Sequence, residues 1–436
     1  MCRKGCLFYL FLGLVCSPLQ AETVLDLFKQ AEEQNPEYKI SGSEIAIAKE
    51  GKSQAKSTLR PQITLNASIV ENWQLENWWS GESIENTKLG YNVSLSYPLY
   101  RNQLDVNVAQ AETGIQQADV AYESAKQNLM ASIVQRYFDV LASQDKLSNA
   151  QANKRAIVSQ LDQVKAKFEV GLIPITDVQE AQAAYDLAIA DEIQAKNEVD
   201  NALEALREII GEYPQKVAVL NADIPLESPE PENSEAWVEI ALKQNPSIIV
   251  AQHAVTKAHQ EIQKQRADNQ PTVDLVAQHR YNDTLRGNKM FGQATDNTIG
   301  IQLSYPLFEG GLRDSKIREA RQRYSQALDQ LEQQRRIVQQ QARNAYLKVM
   351  SSISRVKAFQ QAVVSTETAK KAVEESVEAE LRTMVDLLNA TSNVYQARTN
   401  LARARYDYVV STFLLKQAAG MLNTEDLNAL NEWLQD

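Results

Sequence analysis

The side chains best suited to chemistry gather at two breaks in an otherwise helix-forming sequence. Thr176 and Asp177 follow Gly171-Leu172-Ile173-Pro174, while Arg382, Thr383 and Asp386 follow Glu378 and Glu380. Hydroxyls, carboxylates and a guanidinium can cap helices, attract ions and form directional ion pairs. Covalent chemistry lacks its usual tools. All three cysteines, Cys2, Cys6 and Cys16, fall within the first 21 residues, and the only histidines are His253, His259 and His279. His253 and His259 stand six apart, so they share no helix face as a ligand pair would. No Gly-rich phosphate loop or metal-ligand spacing is present, so neither an enzyme nor a cofactor is implied. On spacing alone, Thr176, Asp177, Thr383 and Asp386 cap helix starts and complement the dipole there, and Thr176 to Gln179 has the Thr-x-x-Gln spacing of a capping box.

Composition narrows the partners. A formal charge of -11 and a pI near 5.1 argue against phosphate-rich partners, and no basic stripe with interleaved aromatics offsets them, so nucleic acid is set aside. Residues 1–21 read as a secretory signal: Arg3 and Lys4 form a basic start, Cys6 to Cys16 an apolar core, and Leu19-Gln20-Ala21 a cleavage site. Cys16 lacks the small residue that usually precedes a lipid-anchor cysteine. Beyond the signal no run of eighteen apolar residues remains, so a membrane role would have to use strands.

Such strands are present. Leu89, Tyr91, Val93, Leu95, Tyr97 and Leu99 alternate with Gly90, Asn92, Ser94 and Ser96. Ile299, Ile301, Leu303, Tyr305 and Leu307 alternate in the same way with Thr298, Gly300, Gln302, Ser304 and Pro306, and segments 63–75 and 273–281 keep the pattern more loosely. A half-buried soluble sheet shows the same period. Lipid contact is favoured by the signal peptide, by Trp73, Trp78 and Trp79 near one strand end, and by the lack of another apolar layer to cover the sheet. Segments 80–87 and 282–296, with Gly81, Gly287 and Gly292 among polar residues, read as exterior loops.

The elements that would carry the two breaks are long helices. Neither Gly nor Pro occurs between Gly311 and Gly420, and only Gly114 and Gly171 interrupt the stretch from Pro98 to Pro174. A helix from Asn102 to Glu169 would rise ~100 Å at about 1.5 Å per residue. Ala342, Tyr346, Val349, Ile353, Val356, Phe359 and Val363 recur at steps of three or four, the seam of a coiled coil. Return helices are expected over 176–210 and 384–419, and shorter helices over 23–59 and 234–269. The whole order occurs twice: Asn35-Pro36 returns as Asn245-Pro246, and Leu95-Ser96-Tyr97-Pro98-Leu99 as Leu303-Ser304-Tyr305-Pro306-Leu307, about 208 to 210 residues later. The expected organisation is a signal (1–21), a first structural repeat (22–211), an equatorial linker (212–233), a second repeat (234–420) and a C-terminal equatorial segment (421–436).

Four strands cannot close a membrane barrel, and open edges in lipid leave backbone groups unpaired at several kcal/mol each. The chain must therefore oligomerise. Two copies would give eight strands with an interior filled by side chains, whereas three give twelve, wide enough for a pore lined by Ser94, Ser96, Thr298 and Gln302.

The order and spacing of Gly171-Leu172-Ile173-Pro174-Ile175-Thr176-Asp177-Val178-Gln179, Asp200-Asn201-Ala202-Leu203, Arg382-Thr383-Met384-Val385-Asp386-Leu387-Leu388 and the stretch from Leu422 to Asn431 closely resemble the TolC-type outer-membrane efflux channels. The resemblance covers the whole mature chain. It implies a mainly α-helical homotrimer in the outer membrane of a Gram-negative bacterium, with a twelve-stranded β-barrel continued by a coiled-coil tunnel in the periplasm. It also implies a function, as exit duct of tripartite drug efflux pumps or type I secretion. The implied partners are a periplasmic adaptor (membrane fusion) protein and an inner-membrane efflux or ABC transporter. The rival reading is a soluble periplasmic coiled-coil adaptor or scaffold, which would have no use for four alternating segments beside tryptophans.

The resemblance also assigns roles at the breaks. Arg382 matches an interprotomer lock arginine, and Thr176 and Asp177 match its partners on the neighbouring chain. Asp386 matches an aspartate ring that makes the constriction cation-selective. Three positions depart from the pattern: a second aspartate ring falls on Asn389, a lock tyrosine on Val377 and a tip glycine on Glu380. One firm carboxylate ring, a weaker lock and extra negative charge from Glu378 and Glu380 at the entrance are therefore expected.

Overall fold

The computed structural model describes residues 21–74, 84–221, 223–286, 293–379 and 381–435. The signal up to residue 20, Trp78, Trp79, the three loop glycines and Glu380 lie outside them. In chain order the elements are α1 (Val24–Gln34), α2 (Pro36–Ser57), β1 (Gln62–Gln74), β2 (Ile84–Tyr100), α3 (Asn102–Glu169) and α4 (Ile175–Ile210). After β3 (Val219–Leu220) come α5 (Ser234–Gln244), α6 (Pro246–Ala267), β4 (Thr272–Arg286), β5 (Ala294–Ser304), α7 (Leu312–Glu378) and α8 (Met384–Ala418). The chain closes with α9 (Thr424–Asn431) and β6 (Leu434–Gln435).

Two helices expected to be continuous are each divided. Pro36 and Pro246 have no N–H to give, and their rings crowd the preceding turn, so Asn35 and Asn245 leave helical geometry at ψ 121° and 123°. Both asparagines then serve the break. The Asn245 carboxamide oxygen accepts the Ser247 N–H at 2.9 Å, and the Asn35 carboxamide donates to the Ile209 carbonyl at 3.2 Å.

The chain forms two compact units. One comprises residues 37–126 and 238–341 and holds a four-stranded antiparallel sheet of order β1-β2-β4-β5. Its register sorts the side chains cleanly. Ile63 pairs with Leu95, Leu95 with Ala277 and Ala277 with Ile299, so one face carries an apolar row across all four strands. The next row, Thr64, Ser94, Gln278 and Thr298, lies on the opposite face and is polar throughout. Among the described residues nothing covers the apolar face at the edge strands: Leu65, Ile63, Ile69, Ile301 and Ile299 are between 66% and 78% exposed. Tyr91 stacks on Tyr281 at 5.3 Å on that face, and Trp73 is exposed near its end.

Where β2 meets α3, the sheet is tied to the helix. The Arg101 guanidinium donates to both Asp274 oxygens, at 2.8 and 2.6 Å, with the carboxylate buried. Such a two-pronged contact fixes direction as well as distance. The register shift between Pro98 and Tyr100 is where Pro98 interrupts the ladder. In the same unit α2 packs on α3 through stacked Tyr38 and Tyr122 and through a Lys52–Glu112 ion pair of 2.7 Å.

The other unit comprises the chain up to Pro36, residues 127–237, and Ala342 onward. Its seam is the one the spacing indicates: Ala342, Tyr346, Val349, Ile353 and Val356 are buried, and Phe359 and Val363 half-buried. Tyr137 and Phe138 of α3 are almost wholly enclosed, and the Tyr137 hydroxyl donates to the Ala218 carbonyl at 2.7 Å. β3 pairs with β6, and Glu22 bridges to Val217, so both ends of the described chain are stitched to segment 217–220.

Candidate functional site at the helix tips

Both helix breaks lie in this second unit and share one kind of backbone hydrogen bond. At the first, the Leu172 N–H reaches the Lys167 carbonyl at 3.0 Å and the Gly171 N–H the Phe168 carbonyl at 2.8 Å. Gly171 stands at φ +77°, a conformation that costs glycine little. At the second, the Leu381 N–H reaches the Ser376 carbonyl at 2.9 Å.

The helices that leave the two turns start differently. Thr383 is the N-cap of α8, and its hydroxyl accepts the Asp386 N–H at 3.3 Å. In return an Asp386 carboxylate oxygen accepts the Thr383 N–H at 3.1 Å and its hydroxyl at 2.9 Å. These bonds, with Arg382 contributing a weaker attraction, hold the Asp386 carboxyl below the usual aspartate range, so it stays ionised. The cap reading and the charge are thus one arrangement, because the box orients the carboxylate while leaving it negative.

At the first tip the expected Thr176–Gln179 box does not form. The N-cap of α4 is Pro174, which has no side-chain oxygen and no N–H to offer Asp177. Thr176 instead sits one turn position inside the helix, where its hydroxyl contacts the Asp177 carboxylate at 3.3 Å. Asp177 occupies the place in α4 that Asp386 occupies in α8, but no cap consumes its oxygens.

Beneath the turns the four helix ends share one apolar core. Ile157, Leu161 and Val164 of α3 meet Ala181 and Ala188 of α4 and Met384, Leu387 and Leu388 of α8, with Val377 of α7 partly buried against them. The two tips of one chain are thereby joined. Inside this core the Gln160 carboxamide donates to the Thr391 hydroxyl at 3.1 Å. Neither residue belongs to a helix break, and the pair's only signal in the sequence is a glutamine between the apolar positions Ile157, Leu161 and Val164.

The remaining named side chains face outward. Thr176, Arg382, Asn389 and Glu378 are exposed, and Asp177 and Asp386 are half-exposed. Among the described residues no ion pair or hydrogen bond joins Arg382 to Thr176 or Asp177 within the chain. The last turn of α7 has no basic residue, although it ends in Glu374, Glu375 and Glu378. Carboxylates at a helix C-terminus oppose the dipole.

Comparison with known proteins agrees with this architecture. The sequence pattern of the family described as "Outer membrane efflux protein" matches residues 27–212 and 237–421. The chain is 35% identical over 428 residues to "Outer membrane protein TolC" of Escherichia coli strain K12, covering 95% of this chain and 85% of that protein. It is also 35% identical to the protein of the same name from Vibrio cholerae serotype O1, with 97% and 96% covered. "Alkaline protease secretion protein AprF" of Pseudomonas aeruginosa is 28% identical, with 97% and 89% covered. Among solved structures, CusC superposes with a TM-score of 0.78 over 92% of each chain at 17% identity, a likeness of fold alone. The chain therefore belongs to the outer membrane efflux protein family and resides in the outer membrane of Gram-negative bacteria.

Proposed function

We propose that three copies of this chain assemble into one exit duct, a twelve-stranded barrel in the outer membrane continued by a helical tunnel in the periplasm. The observation that carries the proposal is the sheet: its apolar face is bare, and among the described residues β1 and β5 have no outer partner. Backbone groups on those edges need partners inside a membrane, and further copies of the same sheet supply them. The polar face then lines the lumen through Ser94, Ser96, Thr298 and Gln302.

The tips act as the gate. Arg382 reaches Thr176 and Asp177 of the neighbouring copy, and because no helix cap engages Asp177 its carboxylate, which accepts only the Thr176 hydroxyl, can still take that guanidinium. Each such exposed contact contributes about 1 kcal/mol or less, enough around a ring to favour a closed rest state without preventing opening. Three Asp386 carboxylates converge on the axis and draw cations, with Asn389 adding no second ring. Glu378 and Glu380 add negative charge at the entrance, and the uncompensated acidic end of α7 is consistent with a charge kept for the lumen at some cost to the helix. The duct receives cargo from an inner-membrane efflux or ABC transporter through a periplasmic adaptor, for drug efflux, protein secretion or both.

Reconstitution in planar bilayers, with the oligomer mass measured in detergent, tests the proposal. A trimer that conducts supports it, whereas a monomer that stays silent and is washed from membranes by carbonate rejects it.

A further inference from the structure

The unit that holds the tips also contains a cleft of about 550 Å³, bounded by segment 227–232 on one side and by α8 and α9 on the other. The segment is clipped in place. The Tyr408 hydroxyl donates to the Glu227 carbonyl at 3.1 Å and accepts the Glu227 N–H at 3.0 Å, while the Trp237 indole N–H donates to the Pro231 carbonyl at 2.9 Å. Because the walls are fastened by their own hydrogen bonds, the cavity exists before any ligand arrives.

Its chemistry has two parts. Trp237, Phe413 and Trp433 give an aromatic floor, and Glu227, Glu230 and Glu232 give a rim of exposed carboxylates without an ion-pair partner among the described residues. The one cation in the lining, Lys416, is already matched by Asp426 at 2.5 Å, so the rim charge is uncancelled. Among the described residues no group of His, Cys, Asp and Glu converges closely enough to hold a metal ion. A volume of this size, an aromatic floor and a one-sided negative rim suit a ligand with an apolar body and a delocalised or well-shielded positive charge.

We propose that this cleft binds amphiphilic organic cations. The site goes beyond the exit-duct reading and does not rest on it, since it lies on one chain and needs no lumen. It adds a place where such a cation can dwell on the protein apart from the Asp386 position.

Isothermal titration of the full chain in lipid nanodiscs with tetraphenylphosphonium tests the site, with tetraphenylborate as a probe of the same body and opposite charge. Saturable binding of one phosphonium per chain is expected, and at least tenfold weaker binding of the borate. The combined Glu227→Gln, Glu230→Gln and Glu232→Gln variant should weaken phosphonium binding at least tenfold with an unchanged melting temperature. Trp433→Ala, which removes part of the floor and none of the charge, should also weaken it. Binding that is unsaturable, indifferent to probe charge, or unaltered in both variants overturns the proposal. Conductance of the same preparation, recorded separately, shows whether the duct itself is intact.

Discussion

At the level of single residues, the proposed gate depends on one carboxylate with two tasks. Asp386 completes the box with Thr383, and the same bonds keep it charged. Thr383→Ala should cost about 1 kcal/mol at the start of α8, seen as roughly fivefold faster hydrogen exchange over residues 384–388. Thr176→Ala should leave the start of α4 unchanged, because Thr176 caps nothing. The folded-state pKa of Asp386 lies below its ordinary value of 3.8, so its stabilisation is present above that pH and is lost as pH falls through the lower folded value. The melting difference between parent and Asp386→Ala should accordingly exist at neutral pH and vanish in acid. In bilayers, Asp386→Ala should shift the reversal potential in a salt gradient toward that of an unselective pore. Arg382→Ser should raise single-channel conductance, and an unchanged value in a folded trimer would remove Arg382 from the lock. The sequence disclosed these side chains by type and place, yet it could not show that Asp386 is both cap and charge, since spacing alone fits either.

Among elements, the instructive contrast is between the two helix starts. A Thr precedes α8 and a Pro precedes α4, so one tip has a closed box and the other an aspartate outside any capping box, held only by the Thr176 hydroxyl. Pro174→Thr would recreate the Thr-x-x-Asp pattern at the first tip. It should stabilise the start of α4 by about 1 kcal/mol, measurable as slower exchange there, and it should raise conductance by drawing Asp177 away from its proposed partner Arg382. The long helices were legible because Gly and Pro are scarce within them, and α3 runs over the expected 102–169. The breaks at Asn35 and Asn245 were not, even though both Asn-Pro pairs had marked the repeated pattern. Each lies inside a span whose apolar period continues across it, and only the missing N–H of proline decides the matter. The box expected at Thr176 failed for the same reason: the hydroxyl and amide had the right spacing, but Pro174 had already fixed where the helix begins.

For the molecule as a whole, the two faces of the sheet give opposite expectations. Ile301→Arg, on the bare apolar face, should destabilise the membrane-inserted form by about 2–4 kcal/mol if it sits near the bilayer midplane, and should reduce the yield of assembled protein in native-gel analysis. Its neighbour Gln302→Arg, on the polar face, should assemble normally and alter only ion selectivity. The alternation that separates these two positions was plain in the sequence. Its meaning for lipid rested on the signal peptide and nearby tryptophans, because a soluble sheet shows the same period; the structure adds a row whose ends, Ile63 and Ile299, are exposed and whose inner members, Leu95 and Ala277, are half-buried. That among the described residues of each chain β1 and β5 have no outer partner also bears on inheritance. In the proposed trimer every subunit needs both siblings to complete its hydrogen bonding, so a copy with a damaged β5 spoils any ring it joins. A cell producing damaged and sound copies in equal amounts would build fully sound rings in only about one case in eight, and the damaged allele would be dominant.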